Sequence, residues 1–100
     1  MENVVLYFRH DIEAIIPYSD AVERIREILA MSQSGEYVGD DMAIDGGDAE
    51  AIFRGPSADA LFADIAPVLR SLKFLNGAKV TLVYGALGSG ARVTTFELKA

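Results

Sequence analysis

A one-domain α+β fold is predicted by three features of the chain. Short runs at 3–9, 49–54, 78–84 and 92–98 alternate apolar and polar residues or are rich in β-branched ones, as strands do. Two longer segments, 19–34 and 57–72, repeat apolar residues at i, i+3, i+4 and i+7, the rhythm of a helix with one buried face. The length, 100 residues, suits a single core, and the 51% hydrophobic content is too high for a disordered chain. A chain of this size buries roughly two-thirds of the surface that its unfolded form exposes.

Composition narrows the functional classes. The formal net charge of −6 disfavours nucleic acid, whose affinity comes mainly from Lys and Arg on phosphates. It is compatible with a basic protein partner or a cation, and it also serves solubility. No apolar run approaches the roughly 18–20 residues of a membrane span, so no membrane association is expected. Residues 1–3 lack a basic region and 4–8 are too few for the apolar core of a secretion signal. With no cysteine in the chain, a cytoplasmic, bacterial setting is the expectation.

In residues 3–9, Val4, Leu6 and Phe8 fall on one side, and Val5, Tyr7 and Arg9 on the other. Both faces are largely apolar, which predicts a central strand whose second face is covered by another element or by a second copy of the protein. Residues 10–19 form a long apolar connection carrying Ile12, Ile15, Ile16 and Tyr18. Here Asp11 is expected to cap a short turn ending at Ile16, with Pro17 interrupting it, so that the segment is an apolar lid or a packed connector. Ser19 and Asp20 then open a helix, with Asp20 and Glu23 at capping-box spacing and Val22, Ile25, Ile28 and Leu29 on one face. Gly35 is the expected stop.

Residues 36–45 alternate imperfectly around Gly39, which predicts an edge strand with a bulge or bend. Asp45-Gly46-Gly47-Asp48 supplies a hairpin turn, and 49–54 returns as a strand. Gly55-Pro56-Ser57 is a turn followed by an N-cap, with Asp59 in the first helical turn. Ala58, Leu61, Phe62, Ile65, Leu69 and Leu72 make the apolar stripe of the second helix. Pro67 lies about 200° around from Ile65, on the wet side, which predicts one kinked helix rather than two. Asn76-Gly77 marks a turn before a strand at 78–84, and a glycine-rich loop at 85–90 leads to the last strand at 92–98.

The order β-α-β-β-α-β-β contains the split βαβ pattern of a ferredoxin-like two-layer sandwich, an antiparallel sheet with two helices on one face. The expected strand order is 4-1-3-2, with the fifth strand beside the fourth.

The candidate sites follow from this frame. Asp40, Asp41, Asp45, Asp48 and Glu50 are the candidate ligand- or partner-binding residues; with Glu36, the 36–50 segment holds six acids and no base. Their spacing does not match a calcium helix-loop-helix signature, so no metal site is assigned and a solvated hairpin accounts for them with fewer assumptions. The loop 85–90 joins two strands and lacks the Lys-Ser or Lys-Thr of a phosphate loop. His10 reads as an exposed strand-end histidine, since no cysteine or elbow serine completes a triad. Val5, Tyr7, Thr81 and Val83 are expected on the sheet face away from the helices, the candidate face of a homodimer.

Gly35-Glu36-Tyr37-Val38-Gly39-Asp40, followed by Ile52-Phe53-Arg54-Gly55-Pro56-Ser57-Ala58-Asp59-Ala60-Leu61-Phe62 and Pro67-Val68-Leu69, resembles a group of small, uncharacterised bacterial proteins with the same helix start. The likeness covers about half the chain and implies the fold and a bacterial cytosolic setting, with no activity attached. No motif calls for a cofactor or for catalysis. The expectation is a non-enzymatic binding or interaction domain that self-associates through the helix-free sheet face. The alternative is an acidic immunity-type or inhibitor protein whose 36–50 hairpin engages a basic partner.

Overall fold

The computed structural model describes residues 1–42 and 46–99. Along the chain run β1 (Glu2–His10), a 3-10 turn (Ile12–Ala14), α1 (Ile15–Ser32), β2 (Glu36–Met42), β3 (Gly47–Gly55) and α2 (Ala58–Arg70). A second 3-10 turn (Lys73–Leu75), β4 (Lys79–Val83) and β5 (Val93–Glu97) complete it. The strands form a single five-stranded sheet in the order β2-β3-β1-β4-β5, antiparallel at every pairing. The fold is therefore α+β, with both helices packed on the sheet.

The strand period of two decides which side chains meet the helices. Val4, Leu6 and Phe8 of β1, Ala49, Ala51 and Phe53 of β3, and Val80 and Leu82 of β4 are all buried. The short alanines of β3 leave room for the helices to approach, while Phe53 fills the space near β2 and stacks edge-on against Tyr37 at 5.3 Å.

The second helix begins where the sequence places it. The Ser57 hydroxyl accepts a hydrogen bond from the Ala60 amide at 3.2 Å, and the Glu2 carboxylate of β1 takes the Ala58 amide at 2.8 Å. Two amides that the first turn leaves without helical partners are thereby satisfied, by groups whose negative character suits a helix N-terminus. Leu61, Ile65, Val68 and Leu69 are buried beneath this helix, and Pro67 is exposed within its continuous span.

The first helix starts earlier than expected. Pro17 does not interrupt it: it is the third residue of α1, in the first turn, where no intrahelical acceptor exists for an amide and a missing N–H costs nothing. Ser19 and Asp20 consequently lie inside the helix instead of capping it, and Asp11 makes no side-chain cap either. The stripe Tyr18, Val22, Ile25 and Leu29 is buried, but Ile12 and Ile16 stand in solvent; residues 10–19 are the end of β1, a 3-10 turn and the first turn of α1, and not a lid. At the other end the left-handed residue is Gln33 (φ 54°), two positions before Gly35.

Gly35 is required for a different reason. A side chain there would collide with the Arg54 carbonyl oxygen, and one on Gly55 would collide with the Ser34 carbonyl oxygen. The start of β2 and the end of β3 thus approach too closely for anything but glycine on either side.

Candidate functional site

The sheet face opposite the helices is built from the residues of odd parity in β1. Val5 sits between Ile52 of β3 and Thr81 of β4, and Tyr7 between Glu50 and Lys79. Outward from β4, Thr81 meets Thr95 and Val83 meets Val93 of β5. Val5, Ile52 and Thr81 are partly exposed, Tyr7 is 41% exposed and Val93 53%. A hydrogen bond to Asp48 raises the pKa of the Tyr7 phenol above its ordinary value, with smaller contributions from desolvation and the negative charge of Asp48.

Val83 departs from the expectation: it shares the parity of this face but is only 8% exposed. Its neighbour in register, Asn3, is 3% exposed and donates to the Gly85 carbonyl at 3.0 Å. Ala86 and Leu87 line the same small recess as Asn3 and Arg54. The loop leaving β4 therefore turns over this end of the face, and the open part is centred on Val5, Tyr7, Ile52 and Thr81.

The acidic hairpin residues do not form one site. The register of β2 against β3 shifts between Tyr37 and Gly39, after which Asp40 is opposite Ala51 and Asp41 opposite Glu50. Consecutive strand residues point to opposite faces, so Asp41 joins Glu50 on the open face while Asp40 turns to the helix side. Asp48 lies 3.7 Å from the Arg9 guanidinium in a solvent-exposed pair. Asp45 is outside the described residues. Among the described residues, no three His, Asp or Glu side chains converge in a way that could hold a metal ion.

On the helix side, Asp40 takes part in a constellation that the sequence did not disclose. The Tyr37 hydroxyl donates to the Asp40 carboxylate, and the Tyr18 hydroxyl of α1 lies 3.0 Å from that of Tyr37. Because the Tyr37 proton is committed to Asp40, Tyr18 is the donor to Tyr37. The Arg26 guanidinium stands 5.1 Å over the Tyr37 ring and 3.7 Å from the Glu23 carboxylate. These groups line an open cleft of about 430 Å³ between α1 and the edge strand β2, whose apolar walls are Ile15, Val22 and Met42. Burial pushes the Tyr18 phenol up to about 12. Burial and then the bond to Asp40 raise that of Tyr37 further, so both phenols stay protonated across the physiological range.

The only signal for this cleft in the sequence is the spacing Tyr37-Val38-Gly39-Asp40. In a regular strand, residues three apart point to opposite faces; the bulge at Gly39 brings them to the same one. The contribution of Tyr18 depends on α1 crossing the edge of the sheet, which no local pattern encodes.

His10 is not an exposed strand-end residue. It has the same parity as Val4, Leu6 and Phe8, is 5% exposed, and meets the Phe8 ring edge-on at 6.1 Å. The second 3-10 turn packs against β1, where Phe74 meets the Phe8 ring at 6.1 Å and lines a recess with His10. The glycine-rich segment joins β4 and β5 as a loop, with Gly88 and Gly90 at positive φ and the Ser89 hydroxyl donating to the Ala86 carbonyl. No helix of the described chain is long and apolar enough to cross a membrane. No family model, curated protein or solved structure matches this chain.

Proposed function

We propose that this protein is a non-enzymatic interaction domain of ferredoxin-like topology that self-associates through the helix-free face of its sheet. Read from the other edge, the order β2-β3-β1-β4 is 4-1-3-2, which supports that topology, with β5 as an added edge. The observation that carries the self-association is the apolar centre of the open face, where Val5, Ile52 and Tyr7 occupy the two middle strands with no helix above them.

Area and charge fit a second copy as the occupant. Five strands averaging seven residues make a face of at most about 24 Å by about 23 Å, an upper bound of about 1,100 Å² for two copies before the end under the loop is subtracted, which puts it at the lower limit of stable interfaces. Glu50 and Lys79 flank Tyr7 on either side of the middle strand. A two-fold axis laid along β1 places each Lys79 over the partner's Glu50, twice by symmetry. Asp41 then meets the partner's Glu97 at the wet rim, where a few ångströms of separation cost about 1 kcal/mol or less.

The test is the mass in solution by light scattering and sedimentation. The wild type is expected to be a dimer at micromolar concentration, Thr81→Arg a folded monomer, and Lys79→Glu a weakened dimer that Glu50→Lys restores. A monomeric wild type sinks the proposal, as does an unchanged mass for Thr81→Arg. Val83 is unsuitable for this purpose because it is buried.

One observation favours a second reading, the basic protein partner. Asp41 and Glu50 are directly opposite each other, a like-charge pair that costs the isolated sheet a few tenths of a kcal/mol. A basic partner relieves that repulsion. On this reading an affinity that falls steeply with salt should be weakened by Asp41→Asn with Glu50→Gln and left unchanged by Asp40→Asn.

A further inference from the structure

The cleft between α1 and β2 is a built polar site, and the direction of its hydrogen bonds states what it accepts. Tyr18 donates to Tyr37 and Tyr37 donates to Asp40, so each phenolic proton is used within the chain. What the lining leaves unused is the opposite property: the second carboxylate oxygen of Asp40, which is exposed, and the remaining acceptor capacity of the Tyr18 oxygen, on a buried side chain that borders the cleft. Arg26, the cation of the lining, stands over the Tyr37 ring and 3.7 Å from Glu23, in an exposed pair longer than a hydrogen bond. With Glu23 and Asp40 against Arg26, the described lining carries one net negative charge.

We propose that this cleft binds a small organic ammonium ion, a primary or secondary amine on an apolar body. The ammonium donates to the free Asp40 oxygen and to Tyr18, while the apolar body lies along Ile15, Val22 and Met42. The volume, about 430 Å³, falls within the range of small-molecule sites. The net charge of the chain, −6, favours the approach of a cation over that of an anion. An anion, by contrast, meets the carboxylates of Glu23 and Asp40, whose two charges outweigh that of Arg26. The site is on the helix side of the sheet, so it is independent of any association through the open face.

The experiment is a titration followed by two-dimensional NMR. Its probes are phenethylamine and cyclohexylamine, the matched carboxylates phenylpropionate and cyclohexanecarboxylate, and the N-acetylated amines. The amines are expected to shift Tyr18, Tyr37, Asp40 and Val22 resonances saturably at millimolar concentration, and the carboxylates and amides to leave them in place. Asp40→Asn, at an exposed strand edge, should stay folded and bind the amines about tenfold more weakly, since a charge-assisted bond becomes a neutral one. Tyr37→Phe, checked for folding by its melting temperature, should weaken binding as well by releasing both ends of the hydroxyl chain. The proposal fails if neither amine shifts these resonances, if the carboxylates shift them equally, or if Asp40→Asn leaves the amine affinity unchanged.

Discussion

The two helices lie over the same face of the sheet and are held there in different ways. The helix α2 packs against β1, β3, β4 and α1, and its buried residues are aliphatic without exception. The helix α1 packs on α2 and on the edge strand β2, and brings a tyrosine hydroxyl into the contact. Over the sheet centre the buried side chains of α2 are all apolar and the packing closes, its polar partners Glu2 and Tyr84 meeting the first turn, at Ala58 and Asp59. Over the edge, one side of the groove is water, so polar groups are tolerated and a cleft remains.

The sharpest way to break this comparison is to remove the same kind of side chain from each helix. Leu61→Ala takes a fully buried residue from beneath α2 and should cost about 3–5 kcal/mol, transfer and cavity together, in urea melts. Val22→Ala removes a smaller buried residue that also borders the open cleft, so it should cost less, about 1.5 kcal/mol of transfer with a smaller cavity beside it. Equal losses would mean that α1 is packed as tightly as α2.

The next effect belongs to α1 alone. The folded pKa of Tyr18, about 12, lies above the ordinary phenol value near 10, so the folded state holds this proton more tightly than the unfolded one. The resulting stability is complete below pH about 10 and is lost as pH rises towards 12, at about 1.4 kcal/mol per pH unit for each such tyrosine. Tyr37 shifts in the same direction. Stability measured across this range should fall steeply in the wild type and less steeply in Tyr18→Phe.

Smaller effects separate the helix ends. Ser57→Ala should cost about 1 kcal/mol, because Ser57 caps α2. Asp11→Ala should change stability by less than about 0.5 kcal/mol, because Asp11 caps nothing. At the C-terminus of α1, Gln33→Gly should add about 0.5–1 kcal/mol by relieving a left-handed residue that bears a side chain. Thermal melts of the three variants read these differences directly.

The sequence by itself determined the type of nearly every element. The helix α2 was legible down to its cap and the side of Pro67, because periodicity, capping and dipole complementarity act within a few residues. The parity of β1 was equally readable: it separates Val4, Leu6 and Phe8, which are buried, from Val5 and Tyr7 on the other face. The same parity carried one residue further accounts for His10, which the 3–9 strand boundary leaves outside and which β1 includes and buries.

What the tertiary structure decided involves partners distant in the chain. Whether Pro17 breaks a helix or begins one depends on the 3-10 turn that meets it. Asp40 and Asp41, adjacent in sequence and similar in chemistry, are sent to opposite faces by a bulge whose position is fixed only by pairing with β3. Tyr18 and Tyr37, nineteen residues apart, meet because α1 crosses the edge of the sheet. Local patterns state which face a residue prefers; which residues share that face is settled by strand register and helix placement, and these are properties of the whole chain.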